Sequence, residues 1–216
     1  MYVKDNMVPS PIVIGPNQSV SEAIDLMSEN KLHRLPVVDG AGKLVGRVTE
    51  GLIASNTPNN TSTLSVFELN YLLNKLSIKD IMIKDVVTID KEALLEEAAM
   101  LMRKNDIGCL PVVDEEKTLE GIITHNDIFT AFIDLLGYNH NGIRYVIAIK
   151  NDRTGIIEDI ARVIAENDVS ISNIAVYKGT RGIEIAVIIN GYKDIADKLE
   201  EAGYVVTSNI KLKQKF

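Results

Sequence analysis

The chain has 216 residues, 46% of them hydrophobic, with 14 glycines, 6 prolines and a net charge of −7. This composition excludes a disordered or collagen-like chain, and no apolar run approaches the ~18 residues of a membrane span. The one cysteine, Cys109, excludes an internal disulfide framework; the acidic balance and low aromatic content argue against nucleic acid as partner, and with no such apolar run no membrane partner is expected. Met1–Asp5 carries no basic-then-apolar leader, so a cytoplasmic location is expected. At ~150 residues per domain the length fits one large domain or two small ones.

From Met7 to Ile53 the sequence repeats, without a gap, at an offset of 75 residues. Met7 falls on Met82, Leu35–Asp39 on Leu110–Asp114, and Gly46 and Thr49 on Gly121 and Thr124. One structural unit is used twice. In the first copy Ser19 and Glu22 have capping-box spacing, and Val20, Ala23, Ile24 and Met27 recur at helical intervals. Two strands follow, Leu35–Val38 and Leu44–Thr49, joined by a turn at Asp39–Gly42. Ala54–Thr63 reads as a polar surface loop, and Ser65 opens a capped linker helix reaching about Leu76. The second copy repeats the pattern with a helix on Leu94, Leu95, Ala98, Leu101 and Met102, two strands, and a helix at Ile128–Leu136. Each copy leaves its sheet half covered, so two copies packed face to face bury both apolar faces.

The turn-rich stretch Gly137–Gly142 separates this module from a different pattern. Strand Ile143–Lys150, helix Gly155–Asn167, strands Val169–Tyr177 and Gly182–Ile189, helix Asp194–Ala202 and strand Tyr204–Ile210 follow in order. Ile156, Ile157, Ile160, Val163 and Ile164 form a wide helical stripe. This is the ferredoxin-like βαββαβ order. The predicted fold class is α+β, with parts at 1–63, 64–137 and 143–216.

Met82 in Lys79–Met82, the two Leu-Pro-Val-Val-Asp strands and Gly121–Asp127 resemble a tandem CBS-domain pair spanning about Met1–Leu136. The resemblance implies a disc-like unit with two clefts that take adenine nucleotides or S-adenosylmethionine. An adenosine ligand needs acceptors for its ribose diol and apolar walls for its base. Thr124 and Asp127 offer a hydroxyl and a carboxylate, whereas the first copy keeps Thr49 but has Leu52 in place of the aspartate. Unequal clefts are expected. Carried over from the family by position, Asp127 and Thr124 face Met7, Ile12, Leu32, His33 and Arg34, the last two toward phosphate. The equivalent Ile107, Gly108 and Cys109 carry no charge. Asp127 also suits a helix cap, and Cys109 a buried packing thiol.

Asp152–Gly155 and Asn173-Ile174 resemble an ACT domain, which implies an amino-acid effector between paired copies and hence a homodimer. Asp152, Gly155, Asn173 and Ile174 are the effector-site candidates. As plain structure, Asp152 reads as a helix cap and Asn173 as a strand turn. A CBS pair followed by such a domain resembles the acetoin-utilisation (AcuB) family. The three histidines lack zinc-ligand spacing, and no nucleophile elbow, Walker loop or dinucleotide fingerprint occurs. The expected function is a non-catalytic sensor of an adenosine ligand that requires no cofactor and acts on an unidentified protein target. The competing reading is an oligomerisation scaffold with empty clefts.

Overall fold

In the computed structural model, which describes residues 1–57, 66–179 and 182–213, the chain divides into two units, Met1–Ile128 and Phe129 onward. The first unit opens with a single turn, Val3–Asp5, and a short strand β1 (Val8–Pro9). Helix α1 (Val20–Asn30) starts at the predicted capping box: the Glu22 N–H donates to Ser19 Oγ at 3.2 Å, and the Ser19 N–H to Glu22 Oε2 at 2.7 Å. Val20, Ala23 and Met27 are buried beneath it, while Ile24 stays largely exposed. The hairpin β2 (Arg34–Val38) and β3 (Leu44–Thr49) follows, its turn held by Asp39 Oδ1, which accepts the N–H groups of Ala41 and Lys43.

Helix α2 (Glu50–Asn56) grows directly from β3, because Thr49 Oγ1 caps the Leu52 N–H at 3.2 Å. Ala54–Asn56, expected in a loop, are therefore helical, and Thr57 ends the helix with its hydroxyl on the Ile53 carbonyl at 2.7 Å; residues 58–63 and the Ser65 cap lie outside the described residues. Helices α3 (Val66–Lys75), α4 (Ile78–Ile81) and α5 (Leu95–Asn105) precede the second hairpin, β4 (Cys109–Val113) and β5 (Leu119–Thr124). Helix α6 (His125–Leu135) begins three residues earlier than expected. The division between units falls inside it, upstream of the Gly137–Gly142 turn.

The two copies exchange their lead segments. Val8 and Pro9 pair antiparallel with Ile122 and Gly121 of β5, and the equivalent Ile83 pairs with Arg47 of β3. On the other edges Ile14 bridges Val37 and Ile89 bridges Val112, both parallel. These crossings explain the shared glycines. A methyl group on Gly121 would stand 2.6 Å from Met7 Sδ and 3.0 Å from the Val8 carbonyl oxygen. On Gly46 it would meet Met82 Sδ at 2.7 Å and the Ile83 carbonyl oxygen at 3.0 Å.

The second unit contains β6 (Gly142–Ile149), α7 (Ile156–Glu166), β7 (Ile171–Gly179), β8 (Gly182–Asn190), α8 (Ala196–Glu201) and β9 (Val205–Leu212). The sheet order is β7-β8-β6-β9, with every pairing antiparallel. Ile143, Tyr145, Ile147, Ile160, Ile164, Ile185, Val187, Ile189 and Leu199 form its core. Ile157 lies off the buried part of the α7 stripe and is exposed. On the opposite sheet face Ile188 is also buried, with Gly137 and Asn173 against it.

Tyr145 ties the core to the loop before α8. Its hydroxyl donates to Asp194 Oδ1 at 2.8 Å and accepts the Ile195 N–H at 2.9 Å. Burial pushes the phenol up to about 12. Tyr145→Phe deletes the hydroxyl that bridges Asp194 and the Ile195 N–H and leaves both without it, so a loss of about 1–3 kcal/mol is expected in urea unfolding of the second unit. Asp194 sits below the ordinary carboxylate range because the Ala196 N–H and the Asn209 amide donate to it. A depressed carboxyl contributes stability that is present above its unfolded pKa, ~3.9, and is lost as pH falls through the folded value. Asp194→Asn should flatten that acid limb in the same urea titrations repeated at descending pH.

Candidate functional site

A cavity of about 610 Å³ opens in the first unit between β1, the end of α1, β2, β5 and the start of α6. Val8, Pro11, Ile12, Leu32, Pro36 and Ile122 give it apolar walls, and Thr124, His125 and Asn126 bring the N-terminal turn of α6 to it. Lys31, His33 and Arg34 add positive charge. A concave apolar space with a few convergent polar groups is the general form of a small-molecule site.

Five of the seven expected adenosine-site residues line this cavity: Ile12, Leu32, His33, Arg34 and Thr124. Asp127 and Met7 support the lining from behind. Asp127 Oδ2 accepts both the Thr124 N–H and the Thr124 hydroxyl at 2.7 Å, so the carboxylate caps α6 and fixes the threonine rotamer. Among the described residues these bonds leave Asp127 Oδ1 as an open acceptor. Met7 lies against Gly121, next to the lining residue Ile122.

The charges divide differently from the expectation. His33 Nδ1 lies 2.7 Å from Glu50 Oε2, so this exposed histidine already has an anionic partner. Arg34 and Lys31 have no carboxylate within ion-pair distance among the described residues. Arg34 instead reaches across to the position equivalent to its own in the other copy, where Nη1 lies 3.5 Å from Cys109 Sγ. Gly108 makes room for that reach, since a methyl group there would stand 3.2 Å from Arg34 Nη1. Lys31 escaped the sequence reading because nothing in its spacing marks it. It closes α1 in a left-handed conformation, φ 55°, and that turn carries it to the cavity.

The equivalent place on the other side is almost closed. Asp85, Val86, Val87, Ile107, Cys109 and Pro111 line a space of about 40 Å³ together with Arg34 and Arg47. Arg47 lines the small space at the repeat position equivalent to Ile122, which borders both spaces, and its buried Nε has no hydrogen-bond partner among the described residues. The clefts are unequal, and the Arg47/Ile122 difference adds to the Leu52/Asp127 difference read from the sequence.

Within one chain the four effector candidates of the second unit fall in two separate places, and the expected site lies between paired copies. Asp152 and Gly155 lie on the connection that follows Ile149, beside a space of about 270 Å³ lined in part by Lys150, Asn151, Arg153 and Tyr204. Asn173 and Ile174 lie toward the other end of the sheet, where Asn173 is paired through Ile188 with Arg144, five residues along β6 from Ile149. The Asn173 amide donates to the Leu135 carbonyl at 2.6 Å and so holds the C-terminal end of α6. Asp152 makes no cap to α7, whose N-cap is Gly155 with φ 86°. Among the described residues no group of three His, Cys, Asp or Glu is placed to hold a metal, and no helix is long and apolar enough to cross a membrane.

The model of the CBS domain matches residues 3–55 and 78–134. Among solved structures, CBSX2 of Arabidopsis thaliana in complex with AMP is 30% identical, with a TM-score of 0.51 over 62% of this chain and 96% of that one. The CBS-domain pair of protein MJ0100, solved with 5′-methylthioadenosine and S-adenosyl-L-methionine, is 32% identical, with a TM-score of 0.50 over 61% and 99%. A putative acetoin utilization protein (AcuB) from Vibrio cholerae is 31% identical, with a TM-score of 0.53 over 63% and 93%. The L-aspartate semialdehyde sulfurtransferase of Methanocaldococcus jannaschii is 32% identical over 130 residues, which are 60% of this chain but only 23% of that enzyme. The similarity to these proteins lies in the CBS pair.

Proposed function

The chain belongs to the CBS-domain family, and from that premise we propose that it is a non-catalytic cytoplasmic sensor whose large cleft binds an adenosine-containing ligand. AMP, ADP, ATP and S-adenosylmethionine are the candidate ligands. The observation that carries this reading is one cavity with apolar walls, an oriented Thr124–Asp127 pair and two cations, Arg34 and Lys31, without carboxylate partners among the described residues. The apolar walls suit the base, Asp127 Oδ1 and Thr124 the ribose, and Arg34 and Lys31 a phosphate. The adenosine compounds in the CBSX2 and MJ0100 structures support the ligand class. Repeats at 1–63 and 64–137 form the sensing pair. The part at 143–216 is an ACT-like domain that pairs two copies into a homodimer or takes an amino acid, and the AcuB likeness points to a role in acetoin or central carbon metabolism.

A melting series tests this directly. The midpoint should rise with at least one of AMP, ADP, ATP or S-adenosylmethionine, by mass action worth about 2.7 kcal/mol at a hundredfold excess over Kd. No shift with any of the four, at millimolar concentration, would favour the oligomerisation scaffold instead. An amino-acid panel in the same format assigns the second unit: a shift makes it a sensor, and none leaves it the pairing role.

A further inference from the structure

The large and the small cleft share a wall. Arg34, Pro36 and Ile122 border both, and of these three only Arg34 is charged. We propose that Arg34 is a gate between the clefts: a phosphate in the large one draws the guanidinium off Cys109, and that movement opens the small one. The proposal rests on the reading that the large cleft takes an adenosine ligand, and it adds what the ligand's phosphate does to the other cleft.

Without a ligand the contacts favour the closed position. Arg34 Nη1 lies 3.5 Å from Cys109 Sγ, and Gly108 leaves the guanidinium room, since a methyl group there would stand 3.2 Å from Nη1 and 3.5 Å from Nη2. The large cavity offers no better partner: no carboxylate lines it, Asp127 Oδ2 is engaged by Thr124, and Lys31 is a second cation on the same wall. The small cleft holds Arg34 without locking it. Asp85 borders that space of about 40 Å³ but forms no ion pair with Arg34 or with Arg47 among the described residues, so two guanidinium groups face it together. Sulfur is a weak acceptor, whereas a phosphate accepts the planar fork through two charge-assisted bonds. A ligand shifts such an equilibrium only by preferring one position, and of the parts of a nucleotide the phosphate has that preference. Cys109 is 6% exposed with Arg34 over it, and it lines the small cleft but not the large one, so a ligand in the large cleft does not itself cover the sulfur.

Cys109 is the chain's one cysteine, so its reaction with methyl methanethiosulfonate, a small neutral reagent, reads the gate in mass spectra of the intact chain. Rates are taken above the ordinary thiol pKa, ~8.5, where they follow access rather than ionisation. Saturating AMP should speed the reaction about tenfold, whereas adenosine, which lacks the phosphate, should leave it within about twofold. Arg34→Ala should react at the fast rate without any ligand. Arg34→Met, whose apolar chain still covers the sulfur but cannot follow a phosphate, should stay slow with and without AMP. AMP that binds in calorimetry without speeding the reaction would overturn the gate and leave the binding reading standing. Equal acceleration by adenosine, or an unchanged rate in Arg34→Ala, would do the same. AMP that fails to bind would remove the binding reading and the gate with it.

Discussion

Replacing Arg34 by alanine is expected to weaken AMP and ATP by about 10- to 100-fold while leaving adenosine within about twofold, because a charge-assisted hydrogen bond contributes about 1.5–3 kcal/mol. The chain carries a net charge of −7, so an anionic ligand meets a repulsive background unless positive charge is concentrated at its site. Arg34 is that concentration, with Lys31 beside it, since His33 is paired with Glu50. Among the described residues the Arg34 guanidinium is held by the Cys109 sulfur alone, at 3.5 Å. A weak acceptor leaves the guanidinium free to turn to phosphate at small cost. Arg34→Lys keeps the charge but loses the planar fork, and should fall between wild type and alanine. Isothermal titration of adenosine, AMP and ATP into the three proteins separates the possibilities. Equal losses for adenosine and AMP would mean that Arg34 shapes the cleft rather than reading phosphate.

Gly121→Ala and Gly46→Ala should each cost the first unit about 1–3 kcal/mol by overpacking, yet only the first should also weaken AMP. The added methyl on Gly121 meets a side chain that can move, Met7 Sδ at 2.6 Å, and a backbone carbonyl that cannot without loosening β1, Val8 O at 3.0 Å. Strand β1 carries Val8, and Pro11 and Ile12 follow it, so displacing it disturbs one wall of the large cavity. The same insult at Gly46 falls on Met82 and Ile83, beside the closed cleft. Met7→Ala in the Gly121→Ala background should recover part of the lost stability by removing the sulfur contact. Urea midpoints and AMP titrations on the four proteins decide it, and equal AMP affinity for the two single variants would contradict the exchanged-segment account.

Much of the architecture is legible in the sequence because it rests on local signals. The Ser19/Glu22 box, the Asp39 turn and the β-branched strands depend on neighbours within a few residues, and the 75-residue offset is read by laying the sequence on itself. The exchange of lead segments is not legible, since β1 is only two residues long and its partner lies more than a hundred residues away. Its trace is the pairing of each glycine, Gly46 and Gly121, with a methionine of the other copy. At the cleft, residue type marked Arg34, Thr124 and Asp127, but tertiary structure set their roles. Asp127 caps α6 while it orients Thr124, His33 is engaged by Glu50, and Lys31 enters through a helix terminus. The second unit shows the same limit. The register of β6, β7 and β8 puts Asp152 and Asn173 toward opposite ends of the sheet within one chain, so a joint effector site requires the paired copies that the ACT resemblance implies.

The inequality of the two clefts, about 610 Å³ against about 40 Å³, turns the sensor reading into a count. Calorimetric titration of AMP into the intact chain should give one site per chain, lost or severely weakened in Arg34→Ala. Two equivalent sites, or no heat at concentrations up to millimolar, would contradict it.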